Sequence, residues 1–182
     1  MGVDEEDDKG MGNDDLVGKV QAQAPPTKSS PIGEIFYGYL MLCANSFQPA
    51  MGYLYRALAL QQSDPLLCLL CGVASLGRST NRQVDNRNHT IMQGMALFTH
   101  YAELRGDIPE VDYNFARAYH HLNLVHLAVP RYERVLQRAS SNASKATFNM
   151  AREAAFNLAM IFTQSGSPDL ARHLYRTWLA VE

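Results

Sequence analysis

The chain has 182 residues, 47% of them apolar, with 16 basic and 18 acidic side chains and a net charge of −2. Three cysteines are too few and too odd in number for a disulfide framework, which favours a reducing compartment. No run approaches the ~18 apolar residues of a membrane-spanning helix, and the near-neutral balance lacks the basic footprint of a strong DNA-binding domain.

Residues 1–30 carry the acid excess, with Asp4, Glu5, Glu6, Asp7, Asp8, Asp14 and Asp15 set against Lys9, Lys19 and Lys28. Glycines, a Pro25-Pro26 step and the absence of periodicity mean that this stretch cannot bury enough apolar surface to offset its ordering entropy. A disordered acidic tail is expected. No basic-then-apolar signal peptide is readable in it, which leaves cytosol or nucleus.

Helical periodicity begins at Pro31. Patterns over 32–46 and 48–61 form a first pair, the second with Ala50, Leu54 and Ala57 on one face. Ser63-Asp64-Pro65 is a cap followed by proline at the first helical position, and 66–77 reads as a buried helix. Residues 78–88 are polar and basic, a loop or frayed helix start. Helix resumes over 89–105, with Gly94, Phe98 and Tyr101 inward, and stops at Gly106. Residues 110–122 and 126–139 make the next pair. Pro130 is expected in the first turn of its helix, where a missing N–H has no partner to lose. A loop follows over 140–147.

The closing stretch, 152–178, is two short amphipathic helices. Ala155, Leu158, Ala159 and Phe162 mark one face, and Gly166 supplies a left-handed stop. Ser167, Pro168 and Asp169 restart the chain as cap, first helical residue and dipole-favoured acid. Ala171, Leu174, Tyr175 and Trp178 then repeat the face. Neither helix can bury its apolar side alone, so the pair must stack on another like it.

The internal period fixes the architecture. Gly38 and Gly72 lie 34 residues apart, as do Gly94 and Ala128, Phe98 and Tyr132, and Tyr101 and Val135. That is the period of the tetratricopeptide (TPR) repeat, a helical hairpin stacked into a solenoid. Its second-helix pattern appears as Ala50/Leu54/Ala57, Gly94/Phe98/Tyr101, Ala128/Tyr132/Val135 and Ala171/Tyr175/Trp178. Its first-helix signature appears as Phe115-Ala116…Tyr119 and Leu158-Ala159…Phe162. The expected fold is all-α: a tail over 1–30, then about four helix pairs over 31–182, with insertions near 78–88 and 138–150.

Candidate chemistry is sparse. Cys68 and Cys71 are formally C-x-x-C, but no second ligand pair exists for zinc, and a leucine-rich setting does not lower a thiol pKa. They read as core. His120, His121 and His126 have no carboxylate on their face and read as structural or groove-lining. No nucleophile–base–orienter set and no phosphate-binding glycine loop is visible. Neither catalysis, a metal, a cofactor nor a small-molecule substrate is expected. Arg131, Arg134 and Arg138 share the outer face of one helix; such a stripe is usually solvated and paired locally, here with Glu133 nearby. Together with Arg78, Arg82 and Arg87 they form the candidate basic contact for phosphate or an acidic partner, which makes direct DNA contact a secondary reading.

TPR arrays hold extended segments in a concave groove lined by the first helix of each repeat. In this register the groove positions are Tyr39 in repeat 1, Tyr113, Arg117, His120 and His121 in repeat 3, and Met160 and Gln164 in repeat 4. Aromatic and arginine side chains are the usual anchors of such surfaces. The carboxylate-clamp pattern of chaperone-binding TPRs is a poor match, since of its residues Arg117 alone is present.

A more specific resemblance covers about 34–182. Residues 64–106 (DPLLCLLCGVASLGRSTNRQVDNRNHTIMQGMALFTHYAELRG) have a hairpin, an arginine-rich insert, a QG-x-x-x-F helix and an LRG stop. This is similar to the TPR subunit of RNA polymerase III transcription factor IIIC. Tyr113-Asn114-Phe115-Ala116-Arg117-Ala118…His121-Leu122…Leu124-Val125-His126-Leu127-Ala128 resembles that subunit's YNLGR-x-x-HQLGLIHLA stretch, and Arg152 to Leu158 with Ser165-Gly166 its closing repeat. Family members are several times longer, with two TPR arrays, so a C-terminal piece or a truncated relative is expected; residues 1–30 have no counterpart. The resemblance implies a nuclear, non-catalytic scaffold that docks other transcription factor IIIC subunits and segments of the polymerase III initiation factor. The alternative is a generic TPR adaptor of another cytosolic or nuclear complex.

Overall fold

The computed structural model describes residues 30–141 and 150–180, and among them there are helices and no strand. The acidic tail and most of the loop expected at 140–147 lie outside the described residues. The helices are α1 (Pro31–Cys43), α2 (Phe47–Leu60), α3 (Pro65–Ser79), α4 (Arg87–Arg105), α5 (Pro109–His121), α6 (Val125–Ser141), α7 (Ala151–Gln164) and α8 (Pro168–Leu174), the last continuing into a π-helical turn, Tyr175–Leu179. They pair as α1/α2, α3/α4, α5/α6 and α7/α8, and α2 packs on α3 and α6 on α7. The architecture is a TPR-like helical solenoid.

Three of the four hairpins turn in the same way. Asn45 (φ 55°), Asn123 (φ 61°) and Gly166 (φ 78°) adopt the left-handed region after α1, α5 and α7. In each case the next residue bonds back five positions: Ser46 N–H to Met41 O at 2.8 Å, Leu124 N–H to Tyr119 O at 2.8 Å and Ser167 N–H to Phe162 O at 2.8 Å. These are the 6→1 bonds of a Schellman stop, which satisfy carbonyls orphaned at a helix end. Asparagine tolerates this conformation because its short polar side chain bonds locally, so two of the stops needed no glycine. The α3/α4 hairpin instead uses the longer segment 80–86. Asp64 caps α3, accepting from Leu66 N–H at 2.8 Å and Leu67 N–H at 3.4 Å. Asn86 caps α4, accepting from His89 N–H at 2.9 Å.

The core runs both within the hairpins and between them. Ala50, Met51, Leu54 and Ala57 of α2 meet Leu67, Cys71 and Ala74 of α3. Cys68 and Leu76 of α3, Phe98 and Tyr101 of α4, and Val111, Phe115 and Ala118 of α5 form a second cluster. Ala116, Ala128, Tyr132, Val135, Leu158, Ala159, Ala171 and Leu174 belong to a third, spanning α5 to α8. Each hairpin therefore depends on its neighbour, as the single-helix patterns implied.

Four local expectations need correction. Pro130 is not in the first turn of its helix, because α6 begins at Val125, directly after the Asn123 turn. It lies in the second turn and removes a bond to the His126 carbonyl. Ser167 holds the N-cap position of α8, but its side chain makes no capping bond; its backbone (φ −111°, ψ 62°) departs from the extended geometry that aims a capping oxygen. Tyr175 is 40% exposed, since no described helix covers that side of α8, while Trp178 packs partly against the third cluster. Finally, the loop or frayed helix start expected over 78–88 is shorter: Arg78 lies in the last turn of α3, which runs to Ser79, and Arg87 begins α4. Replacing Pro130, which is exposed, by alanine is expected to stabilise the chain by about 1–3 kcal/mol, measured by urea denaturation.

Candidate functional site: a concave face on the first helices

The first helices α1, α3 and α5 share one face. Helical spacing lines it with Tyr39, Leu42 and Cys43 from α1, with Leu69, Leu70, Val73, Leu76 and Gly77 from α3, and with Asn114, Arg117, Ala118 and His121 from α5. Phe47 and Phe98 close a cavity of about 490 Å³ between them. A second cavity, of about 270 Å³, continues along α5 toward α7 and is lined by Arg117, His120, His121, Tyr132 and Asn157. Arg117 and His121 belong to both. The first cavity is walled mainly by aliphatic and aromatic carbon, the second by polar groups.

Of the residues expected in the groove, the structure brings Tyr39, Arg117, His120 and His121 to this face. Tyr113 supports it from behind: its ring meets Tyr132 edge-on at 6.1 Å, the Arg117 guanidinium lies 6.0 Å from its centroid, and its hydroxyl accepts from Asn157 Nδ2 at 3.2 Å. Burial, and then the neighbouring His121, hold His120 below the ordinary histidine range. Burial pushes the Tyr132 hydroxyl upward. Met160 and Gln164 sit exposed on α7 and line neither cavity. The fourth repeat reaches the site one turn earlier, through Asn157.

Sequence reasoning missed both asparagines. Asn114 and Asn157 precede the matched pairs Phe115-Ala116 and Leu158-Ala159, and so hold the same register position in successive repeats. Each donates its amide to a tyrosine hydroxyl of the preceding hairpin or helix, Asn114 Nδ2 to Tyr101 at 2.9 Å and Asn157 Nδ2 to Tyr113 at 3.2 Å. The recurrence of asparagine before an aromatic-or-leucine–alanine pair was the available signal.

The basic stripe on α6 is not paired with Glu133. Its three arginines converge on Asp112, a carboxylate of α5 whose side chain is 3% exposed. Arg131 Nη1 lies 2.6 Å and Arg134 Nη1 3.3 Å from Asp112 Oδ1. Arg138 Nη2 reaches Asp112 Oδ2 at 3.8 Å and Asp107 Oδ1 at 2.6 Å. The Arg131 guanidinium also stacks 5.1 Å from the Phe115 ring. The stripe fastens α6 to α5, with each of its three guanidinium groups on a carboxylate of this chain, Asp112 or Asp107. The sequence signal was Asp112 itself, an acid between apolar Val111 and Phe115 on a buried face. Arg78 is half-buried beside a separate polar cavity with Asn81, Gln83 and Val84, while Arg82 and Arg87 are exposed. These three are therefore spread over α3, its following loop and α4.

Cys68 and Cys71 are fully buried in the core. Burial raises both thiols, Cys71 to about 12. Of the three cysteines only Cys43 is exposed. A thiol reagent is accordingly expected to modify one cysteine promptly in the native chain and all three after denaturation, counted by mass.

No protein-family model matches the chain. Among curated proteins it is 34% identical over 169 residues to "Transcription factor tau subunit sfc4" of Schizosaccharomyces pombe, covering 85% of this chain. It is 31% identical over 163 residues, 86% of this chain, to "Transcription factor tau 131 kDa subunit" of Saccharomyces cerevisiae. The chain belongs to the transcription factor IIIC subunit family. "General transcription factor 3C polypeptide 3" of Homo sapiens matches 81% of it at 27% identity. The transcription factor IIIC relationship thus runs along most of the chain, while the chain spans only 15–17% of the length of these relatives.

Proposed function

We propose that this member of the transcription factor IIIC family is a non-catalytic, nuclear protein–protein scaffold, which holds an extended segment of another subunit or of the polymerase III initiation factor against its first helices. The observation that carries this reading is the pair of adjoining cavities on α1, α3, α5 and α7, with Arg117 and His121 common to both. An apolar cavity next to a polar one suits a chain segment: one side chain anchors and neighbouring polar groups set its register. Val73 is 41% exposed on the wall of the larger cavity, so a charge there blocks the site without disturbing the core.

Affinity capture from nuclear extract, compared with the Val73→Asp chain, tests the reading. Recovery of promoter-bound factors of transfer RNA genes, lost on Val73→Asp, is the expected result. Recovery of chaperones or of unrelated complexes supports a generic TPR adaptor instead. Direct contact with DNA is the weaker reading, because Asp112 and Asp107 already engage three of the six arginines that would make it.

A further inference from the structure

The groove has a chemical polarity that names its occupant more closely, provided that the groove docks a protein segment at all. Neither Asp nor Glu lines either cavity. Arg56, Arg105, Arg131, Arg134, Arg138 and Arg172 each pair with a carboxylate of this chain. Arg78, Arg82, Arg87, Arg117, Arg152 and Arg176 pair with none among the described residues, and of these Arg117 is the one that lines the two cavities, lying against the Tyr113 ring on their shared rim. A second, independent observation points the same way. Tyr132 is 0% exposed, lines the smaller cavity, and its hydroxyl has no hydrogen-bond partner among the described residues. Buried hydroxyls are nearly always bonded, and leaving one unmade is costly.

We propose that the groove selects an extended protein segment carrying one large apolar side chain and, a few residues away, an aspartate or glutamate. The apolar side chain fills the cavity walled by Leu69, Leu70, Val73 and Phe98. The carboxylate enters the smaller cavity, where one oxygen takes the Arg117 guanidinium and the other accepts the Tyr132 O–H. Charge-assisted bonds of this kind are the strong ones. The Asn157 amide, with one N–H committed to Tyr113, retains an oxygen and a second N–H for the backbone of the segment. Because the two cavities meet at Arg117 and His121, an extended chain rising ~3.3 Å per residue spans from one to the other in about two to four residues.

The test uses the whole 182-residue chain and a positional-scanning library of short peptides, acetylated and amidated so that neither terminus is charged. The expected selection is Leu, Met or Phe at one position and Asp or Glu about two to four residues away. The best peptide should lose about tenfold in affinity when its acid is changed to the amide. Arg117→Gln should bring the acidic peptide down to the amide's level and leave the amide peptide's affinity unchanged. Tyr132→Phe should weaken the acidic peptide several-fold while the melting temperature holds or rises, since the lost hydroxyl bonded nothing in the free chain. Selection of uncharged or basic residues, or equal affinity for acid and amide, overturns the inference. If such binding is still abolished by Val73→Asp, the docking reading survives it. Binding indifferent to Val73→Asp, or no retained peptide at all, rejects the docking reading and the inference together.

Discussion

Replacing Arg131, Arg134 and Arg138 together by alanine is expected to destabilise the chain by about 3–5 kcal/mol, far more than the three single substitutions added together. The reason is the asymmetry of burial across the cluster. The Asp112 side chain is 3% exposed, whereas those of Arg131, Arg134 and Arg138 are 33%, 52% and 25% exposed. Removing one arginine leaves two cations near the carboxylate and frees little, so each single change should cost only about 0.2–0.5 kcal/mol, the low end for a solvent-screened pair. Removing all three strands a desolvated charge with no counter-ion. The converse rests on the same asymmetry: Asp112→Leu in the triple-alanine background should recover most of the loss, because apolar packing substitutes well for a buried ion cluster. Urea denaturation of the five variants checks both. Additive losses, or no rescue by leucine, would mean that Asp112 is better solvated than its burial implies.

The second large effect is expected where α3 crosses α4. A Cβ on Gly72 would lie 2.8 Å from Phe98 Cδ2 and 3.3 Å from the Gly94 carbonyl oxygen; one on Gly94 would lie 2.9 Å from Leu76 Cδ2 and 3.3 Å from the Gly72 oxygen. Each glycine is thus the space in which the other's backbone sits. Gly72→Leu and Gly94→Leu should each cost about 1–3 kcal/mol through overpacking, although any side chain in mid-helix gains up to about 1 kcal/mol over glycine in propensity. Gly33 in α1 supplies the control, since a Cβ there meets nothing within 4 Å. Gly33→Ala should stabilise by about 0.5–1 kcal/mol. Opposite signs at the crossing and at Gly33 separate packing from propensity. Thermal melts in which all three substitutions shift the same way would put the α3/α4 crossing elsewhere.

The repeat was the legible part of the sequence. Small residues recurring at Gly38 and Gly72, and at Gly94 and Ala128, mark places where helices approach closely, and a contact made of backbone leaves a signature that survives translation along the chain. Gly166 and Asp64 likewise announced a stop and a start, because each supplies a conformation or an acceptor that few residues can. Asn45 and Asn123 make the same stop as Gly166 but went unread, since asparagine is common in loops of every kind. The site was only half legible. Arg117 and His121 followed from the first-helix register, but a cavity also depends on how neighbouring hairpins pack, and the fourth repeat contributes Asn157 rather than Met160. The α6 stripe misled because a row of arginines looks the same whether it faces water or a carboxylate on the next helix; Asp112 decides, and it lies 19 residues from Arg131.

On the proposed function, the stacked hairpins capture a partner's segment along the face of α1, α3, α5 and α7. Photo-crosslinking from within that face addresses it most directly. A benzophenone side chain in place of Tyr39, which is 53% exposed on the cavity wall, is to be compared with one in place of Met92, which is 71% exposed on the second helix of its hairpin. In nuclear extract, crosslinks to transcription factor IIIC or initiation-factor polypeptides are expected from position 39 and not from position 92. The same polypeptides captured from position 92, with none from position 39, would contradict the account.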